Sequence, residues 1–449
     1  MSNKKQRTLA KKPPTEAPAP RPYTAKLRAA ADGVKSCMNK LRGHILGAVD
    51  AVGAWLHRGT VQIGRLSPRA AAKLQTLGNW IGRSEGRKLG AAALAAALLL
   101  GIVSTAAFSE NIGRYCRVVF TFDGKVPLPG ETRRAVGEKT KQLAGALESR
   151  LDRKGKLVGD AWTSAQILLA LLTNDADYAK RITPSIERYF RSVAGPECAC
   201  WRQLPTGRFP DHIGVTSWVL WALAAHGDRA QKAELEFLLS VQHSEGWWPL
   251  FAGAQQERFA SSYATAVAIL ALHEQSALEP DPRRKERLAA AVQRGASWLK
   301  RSVVPGRARW LDYPAWPGAE GEFFGVSGFA LFTLHRVGAA DLSGLDRDWM
   351  RELPDEIPAA RGREVSKKSV QVGKRAYPDD THFYGLPWGI AATALAYPNA
   401  SISGKVDALK WLERALAPGA PLYALSGKEK RAEIAAETLL ALRSGLARE

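Results

Sequence analysis

The sequence predicts an all-α protein of paired helices, preceded by one transmembrane helix and a basic helical arm at the N-terminus. Three observations lead to this prediction. Segments of small and apolar residues recur along the C-terminal two thirds of the chain. A stretch of 21 residues without any charge precedes them. The excess of positive charge lies mostly before that stretch.

The basic character of the chain belongs to its N-terminal arm. The net charge is +21, and residues 1–88 hold 18 Lys and Arg against 4 Asp and Glu. An arm of this kind contacts nucleic acid or an anionic membrane surface, or directs membrane topology. Because an apolar segment follows the arm, a membrane is the favoured partner and nucleic acid is disfavoured. Apolar residues make up 46% of the chain, a globular value that excludes disorder along most of its length.

The arm divides into two parts. Residues 1–23, rich in Lys, Pro and Ala, predict a disordered basic tail. Residues 24–88 predict a helical basic cytoplasmic arm, because apolar positions from Leu27 to Trp55 recur at steps of three and four. This apolar seam could self-associate or bind a protein partner, or it could contact anionic lipid. A helical hairpin with a solvated basic face explains the pattern equally well.

Residues 89–108 are the predicted transmembrane helix, since an uncharged run of this length can cross a bilayer. Arg83, Arg87 and Lys88 precede it, so the positive-inside rule places the N-terminus in the cytoplasm. The predicted localisation is therefore the cell inner membrane, with a single-pass signal anchor and an extracytoplasmic C-terminal domain. The alternatives are a buried helix of a soluble protein and a cleaved signal peptide.

The four cysteines fall on both sides of this segment. Cys37 precedes it, and Cys116, Cys198 and Cys200 follow it. An oxidising exterior would permit a disulfide. A bridge between Cys198 and Cys200 would close a small, strained ring, so the expected bond joins Cys116 to one of these two residues.

Helix pairs repeat through the rest of the chain. Residues 109–158 predict a linker and packing segment, with a short strand at 118–122 and a helix at 131–151. Residues 159–449 contain six apolar helical segments, which begin at Trp162, Val215, Tyr263, Val326, Pro387 and Ile434, and a corresponding leucine in each recurs every 47 to 62 residues. Between them lie helices with a central aromatic residue, such as Phe237 and Trp298. Such spacing is typical of stacked helix pairs, which form an open superhelix or a closed ring.

One turn of the repeat region carries a family resemblance. The sequence AELEFLLSVQHSEGWWPL joins an aromatic helix to a turn that contains Gln242, Gly246 and Trp248. These residues resemble the repeat motif of the superfamily of squalene cyclases and protein prenyltransferases. The resemblance implies an α/α toroid of about five to six helix-pair repeats, whose inner helices are parallel and surround a cavity at one end. It also implies that these three residues are structural.

Acidic residues and histidines precede two of the predicted inner helices. Asp211 and His212 precede one, and Asp379, Asp380 and His382 precede another. Because parallel inner helices begin at one end, these five residues are predicted to converge as catalytic candidates. Together they could perform acid and base chemistry or hold a divalent metal, although no cofactor is evident. Helix capping by Asp is the alternative explanation.

Three functions agree with these patterns. The first is a membrane-anchored toroid that binds or modifies a cell-envelope ligand such as a glycan, a peptide or a lipid-linked molecule. The second is a non-enzymatic subunit of a membrane complex that binds a partner. The third is a degenerate terpenoid cyclase, since Asp379-Asp380-Thr381 resembles the end of the acid motif of cyclases, with Tyr377 in place of its first Asp.

Overall fold

The structure, a computed structural model, describes residues 125–150, 161–175, 211–254, 256–316, 324–354, 363–365, 368–379, 382–417 and 432–446, with a few single or short stretches between 110 and 201. Apart from Glu110, these described segments belong to a unit that spans Asn111–Glu449. Its α-helices with both ends among the described residues are α1 (Gly130–Glu148), α2 (Ala161–Asn174), α3 (Ile213–His226), α4 (Lys232–Val241), α5 (Ser262–Leu278), α6 (Pro282–Arg301), α7 (Phe324–Arg336), α8 (Ser343–Arg351), α9 (Gly385–Ala396), α10 (Ile402–Ala415) and α11 (Ala432–Leu446).

The six apolar segments form helices α2, α3, α5, α7, α9 and α11, which confirms that part of the prediction. Their residues are buried on every side, and α3, for example, is buried from Ile213 to Leu223. A helix that is apolar all round must be enclosed by other elements. These six are therefore inner helices. The intervening helix α6 is amphipathic and buries only one face, which includes Leu288, Val292 and Leu299.

The inner helices form a closed ring. Each packs against the next in the order α2, α3, α5, α7, α9 and α11, and α11 packs back against α2. Helix α1 packs against both α11 and α2, so it covers the seam where the last helix meets the first. Small residues allow the close approach of neighbours: a Cβ on Gly328 of α7 would lie 2.7 Å from the Trp388 carbonyl carbon of α9. The architecture is therefore a ring of helix pairs.

The middle of the ring is packed with aromatic side chains. Trp218 stacks on Phe329 at a centroid distance of 5.9 Å, and Phe329 lies 4.5 Å from Trp388. Phe332 contacts both Phe329 and Trp388. These residues come from α3, α7 and α9 and are buried. This aromatic layer therefore packs α3, α7 and α9 against one another inside the ring.

The same pair of tryptophan hydrogen bonds recurs in three repeats. Trp248 and Trp310 follow the outer helices α4 and α6, and each indole Nε1 donates over 2.8 Å to a carbonyl of that helix. The indole Nε1 of Trp201 donates over the same distance to the carbonyl of Phe190. The backbone N–H of each Trp donates over 3.0 Å to a hydroxyl on the following inner helix. The acceptors are Thr216, Thr265 and Ser327. These two hydrogen bonds thus connect the outer helix, the turn and the inner helix of a repeat.

The turn at Gln242 joins two repeats. Its Nε2 donates to the carbonyl of Gly246 at 3.0 Å and to that of Ala291, on the next outer helix, at 2.9 Å. Gly246 has a φ of 109°, and a Cβ there would overlap the carbonyl of Arg294. Only glycine fits such a position without strain.

Short antiparallel strand pairs lie beside the helix starts, which the sequence patterns did not predict. They are β1 (Trp248–Pro249) with β2 (Ala260–Ser261), β3 (Arg363–Val365) with β6 (His382–Tyr384), and β4 (Lys368–Val372) with β5 (Arg375–Asp379). The register pairs Val370 with Tyr377 and Glu364 with Phe383. In contrast, Val118 and Val119, expected in a strand at 118–122, are helical. The domain is therefore mostly helical rather than purely helical.

The predicted membrane anchor is wrong. Within the part of the chain that the structure describes, no helix combines the length and the apolarity that a bilayer span requires. This finding corrects three predictions, namely the transmembrane helix, the signal anchor and the single-pass localisation in the cell inner membrane. The segment predicted to span, 89–108, lies outside the described residues, as do the tail at 1–23 and the arm at 24–88 with its predicted lipid and partner contacts.

Candidate functional site

Side chains at the starts of the inner helices contact one another. The six inner helices therefore begin at the same end of the ring. Thr163 of α2 donates to Glu433 of α11, and Trp162 contacts both His212, which precedes α3, and Tyr263 of α5. Phe324 at the start of α7 faces the first turn of α9 at Gly385. We call this end the mouth, and define it by Trp162, Thr163, His212, Tyr263, Tyr384 and Glu433.

Two carboxyl groups of α11 form hydrogen-bonded rungs across the seam of the ring. In the upper rung, Glu433 accepts from the Thr163 hydroxyl at 3.1 Å and from the Tyr384 hydroxyl at 3.0 Å. In the lower rung, Glu437 accepts from Gln166 Nε2 at 2.7 Å and from Trp388 Nε1 at 2.6 Å. The two glutamates are four residues apart and thus lie one above the other on the same face of the helix. Each rung connects α11 to α2 and to the chain at the start of α9.

Burial changes the protonation of the lower rung. Glu437 is 2% exposed, and burial raises its pKa to about 8, with a further increase from the charge of Glu433. The two N–H donors act in the opposite direction but do not offset burial. Glu437 therefore carries a proton at neutral pH. Glu433 is partly exposed at the mouth.

An aromatic pair lies beside the upper rung. Trp162 is partly exposed and stacks on Tyr263 with a centroid distance of 5.9 Å and an interplanar angle of 7°. Tyr263 accepts a hydrogen bond from Trp218 Nε1 at 2.8 Å, and burial raises the pKa of its phenol well above the usual value. Asp312 holds the start of α5, because its carboxylate accepts from the Ser261 hydroxyl at 2.8 Å. The indole of Trp162 is therefore fixed in position.

His212, a predicted catalytic residue, is a buried cap of helix α3. Its Nδ1 accepts from the backbone N–H of Val215 at 3.3 Å, and burial lowers its pKa to about 3. The ring is neutral, and because Nδ1 accepts, Nε2 bears the hydrogen. Its ring packs edge-on against Trp162 at 5.2 Å and against Phe251 at 4.8 Å. In this structure His212 orders the mouth and caps a helix.

The other predicted site residues are described to different extents. Asp211 is partly exposed, and its carbonyl accepts from the N–H of Ala252 at 2.8 Å. Asp379 ends β5 and His382 begins β6, directly before α9, but their side chains and the whole of Asp380 lie outside the described residues. Their convergence with Asp211 and His212 stays a prediction. Pro387, the start of the fifth predicted apolar segment, lies in the first turn of α9, where proline is tolerated.

Sequence reasoning missed Glu433 and Glu437. The available signal was a pair of glutamates four residues apart in the otherwise apolar segment AEIAAETLLAL. Their partners on α2 lie some 270 residues away in the chain, so no local pattern indicates the contact. No group of three or more His, Cys, Asp or Glu side chains suited to a metal ion occurs among the residues for which the structure gives side chains.

Comparison with known proteins gives little more. No family model and no curated protein matches this chain. Among solved structures, a β-1,3-1,4-glucanase from Paenibacillus sp. X4, in its apo form, matches over 72% of this chain and 96% of its own length. The identity is 9% and the TM-score is 0.49. At this level the likeness decides neither fold nor function.

Proposed function

We propose that the mouth of the ring binds a glycan. The observation that carries this proposal is a partly exposed indole, Trp162, held next to the hydrogen-bonded upper rung of Thr163, Tyr384 and Glu433. A sugar offers a C–H face that packs on an aromatic ring and hydroxyl groups at its edge. Carboxylate and hydroxyl oxygens are suitable partners for those hydroxyls.

The contacts of Trp162 limit the part of its indole that a ligand can reach. Tyr263 covers one face of the Trp162 indole and His212 packs against it, so a ligand must use the part of the ring that these residues leave. Thr163 follows Trp162 directly in the chain, and its hydroxyl bonds to Glu433. A sugar on Trp162 would therefore have its edge next to the oxygens of the upper rung. The aromatic layer around Phe329 and Trp388 forms the floor.

Hydrolysis of the glycan is a second candidate function, favoured by the two stacked carboxyl groups. Glycoside hydrolysis uses one carboxylic acid that gives a proton and a second carboxylate that acts as base or nucleophile. Glu437 holds a proton at neutral pH because burial raises its pKa to about 8. Glu433 lies one turn closer to the mouth. This pair has the residue types that such a reaction needs.

Binding can be measured by titrating the full chain with soluble oligosaccharides, using calorimetry and tryptophan fluorescence. We expect Trp162→Ala to weaken binding about tenfold or more, since loss of one aromatic contact costs about 1.4 kcal/mol. Tyr115→Ala is the matched control, because Tyr115 is an exposed aromatic residue on the segment that pairs with α10 through Arg114. If no oligosaccharide binds, or if both variants bind like the unchanged protein, the proposal is wrong.

Hydrolysis requires a separate assay, the release of reducing ends from any glycan that binds. Glu433→Gln and Glu437→Gln should abolish release while Glu433→Gln also weakens binding. Glu236→Gln, which removes a carboxylate paired with Arg287 on the outer surface, should not change it. Binding without release by the unchanged protein would leave glycan binding as the function.

A further inference from the structure

A hairpin beyond the ring lies beside the mouth. Strands β4 and β5 dock on a small apolar cluster next to it, through the buried Val370 and the partly buried Val372 and Tyr377. The cluster members contributed by the ring and its loops are Leu250, Phe251, Ala254, Phe259, Ala264, Tyr313 and Trp316. A Cβ on Gly253 would lie 3.3 Å from Val372 Cγ1, so the hairpin and the 250–254 loop are in close contact.

The hairpin extends a row of rings that starts inside the mouth. Tyr377 lies 6.0 Å from Phe251, Phe251 lies 4.8 Å from His212, and His212 lies 5.2 Å from Trp162. The two middle rings are buried, with Phe251 2% and His212 3% exposed. Tyr377 and Trp162, at the two ends, are partly exposed. The row therefore presents a ligand with two aromatic positions rather than one.

We propose that Tyr377 is a second, outer position for the glycan, and that the ligand is an oligosaccharide that contacts Trp162 and Tyr377 together. This inference rests on the proposed function. The three centroid distances of 6.0, 4.8 and 5.2 Å limit the separation of the end rings to about 16 Å. Because the buried rings of Phe251 and His212 lie between Trp162 and Tyr377 in the row, a monosaccharide that packs on one end ring does not cover the other, and a longer chain is needed to contact both. Tyr377 then determines preference for chain length, whereas Trp162 contributes to every complex.

The geometry explains why the outer position is separable from the inner one. Tyr377 is held by the pairing of β5 with β4, where it lies opposite Val370. Trp162 is held by α2, Tyr263 and His212. Each aromatic residue thus has its own support, and removal of Tyr377 leaves the contacts of Trp162 in place. Two independent contacts on one flexible ligand raise its affinity beyond that of either alone.

The test compares the full chain with Tyr377→Ala, Tyr377→Phe and Trp162→Ala, using one sugar series from the monosaccharide to the hexasaccharide. The unchanged protein should bind longer chains at least tenfold more tightly than the monosaccharide. Tyr377→Ala should remove this gain and leave monosaccharide binding unchanged, and Tyr377→Phe should keep most of it. Trp162→Ala should weaken binding at every length. Thermal melting of each variant checks whether the fold is retained.

The outcomes separate the two proposals. If sugars bind through Trp162 but Tyr377→Ala retains the full preference for long chains, the outer position is wrong and glycan binding stands. The same holds if the unchanged protein shows no dependence on chain length. If no sugar binds the unchanged protein at all, both proposals are wrong.

Discussion

At the scale of single residues, the two glutamates of α11 lie one turn apart on the same helix but differ in burial. Glu433 and Glu437 both face neighbours in the ring, but one is partly exposed and the other is 2% exposed. A buried carboxyl group without a cationic partner is retained as the neutral acid. Glu437 has amide and indole N–H donors around it, which a neutral carboxyl can also use. Burial, rather than position in the sequence, therefore determines that Glu437 keeps its proton.

The protonation of Glu437 predicts how stability depends on pH. Its pKa is about 8 in the folded protein, against an ordinary value of 4.5 for a glutamate side chain. The folded state therefore keeps a proton that the unfolded state releases, and the stabilisation from this proton is complete below the unfolded pKa. It is lost progressively as pH rises from about 4.5 to about 8, by about 1.4 kcal/mol for each unit of pKa difference.

We expect Glu437→Gln to remove that dependence, because an amide imitates the neutral acid. Gln166 Oε1 has no hydrogen-bond partner among the described residues, so the Gln166 amide can turn to accept from the new side chain. Chemical denaturation between pH 5 and pH 8 should show a steeper loss of stability for the unchanged protein than for the variant. Glu236→Gln, at an exposed ion pair, serves as control. Parallel curves for all three proteins would contradict the raised pKa of Glu437.

At the scale of elements, the repeat consists of an outer helix, a turn with tryptophan and an inner helix. The indole and the backbone N–H of Trp248 each make a hydrogen bond within this unit. Since the turn is buried, both groups must be satisfied by the protein itself. The hydroxyl on the inner helix is therefore part of the repeat, although it lies 17 residues after the tryptophan.

Thr265→Val should destabilise the protein by about 1 to 3 kcal/mol, because the backbone N–H of Trp248 would lose its buried acceptor. Thr265→Ser should cost much less, since the chain itself uses Ser327 at the matching position of the next repeat. Urea denaturation of the two variants measures the difference. Equal stability of the valine and serine variants would show that the hydroxyl does not support the turn.

At the scale of the whole molecule, two long-range connections bring distant parts of the chain together. The two rungs join α2 to α11 and close the ring. Arg114 and Arg117 pair with Glu413 of α10, at 2.8 Å and 2.7 Å, and attach the segment that precedes α1 to an outer helix. Loop closure over such lengths is costly in entropy, and packing of the whole ring must offset it.

A covalent link adds to these connections. Cys200 is disulfide-bonded and only 1% exposed, and the other three cysteines lie outside the described residues. Removal of a disulfide typically costs about 2 to 4 kcal/mol. Cys200→Ser, or addition of a reducing agent, should lower the thermal midpoint of the full chain, and peptide mapping without reduction should identify the partner as Cys116, since a bridge to Cys198 would close a strained ring. Free Cys200 thiol in the unreduced protein would contradict the bond.

The sequence alone indicated the inner helices and the aromatic turns between them. Each of these has a signal in residues close in the chain: a run such as YATAVAILALH is apolar on all sides, and Gln242, Gly246 and Trp248 lie within seven residues of one another. The same local reasoning gave Asp211 and His212 a position at the start of α3. It could not separate catalysis from capping, because both use polar residues at a helix start.

Only the tertiary structure decided that the ring closes through Glu433 and Glu437, and that Trp162, Tyr263 and the β4–β5 hairpin meet at its mouth. Gln166 and Glu437 are 271 residues apart, and which rings stack depends on packing between helices rather than on spacing along one helix. The charge state of Glu437 likewise follows from burial, which no pair of glutamates in a sequence reveals. Local periodicity thus determined the elements, and long-range packing determined the candidate site.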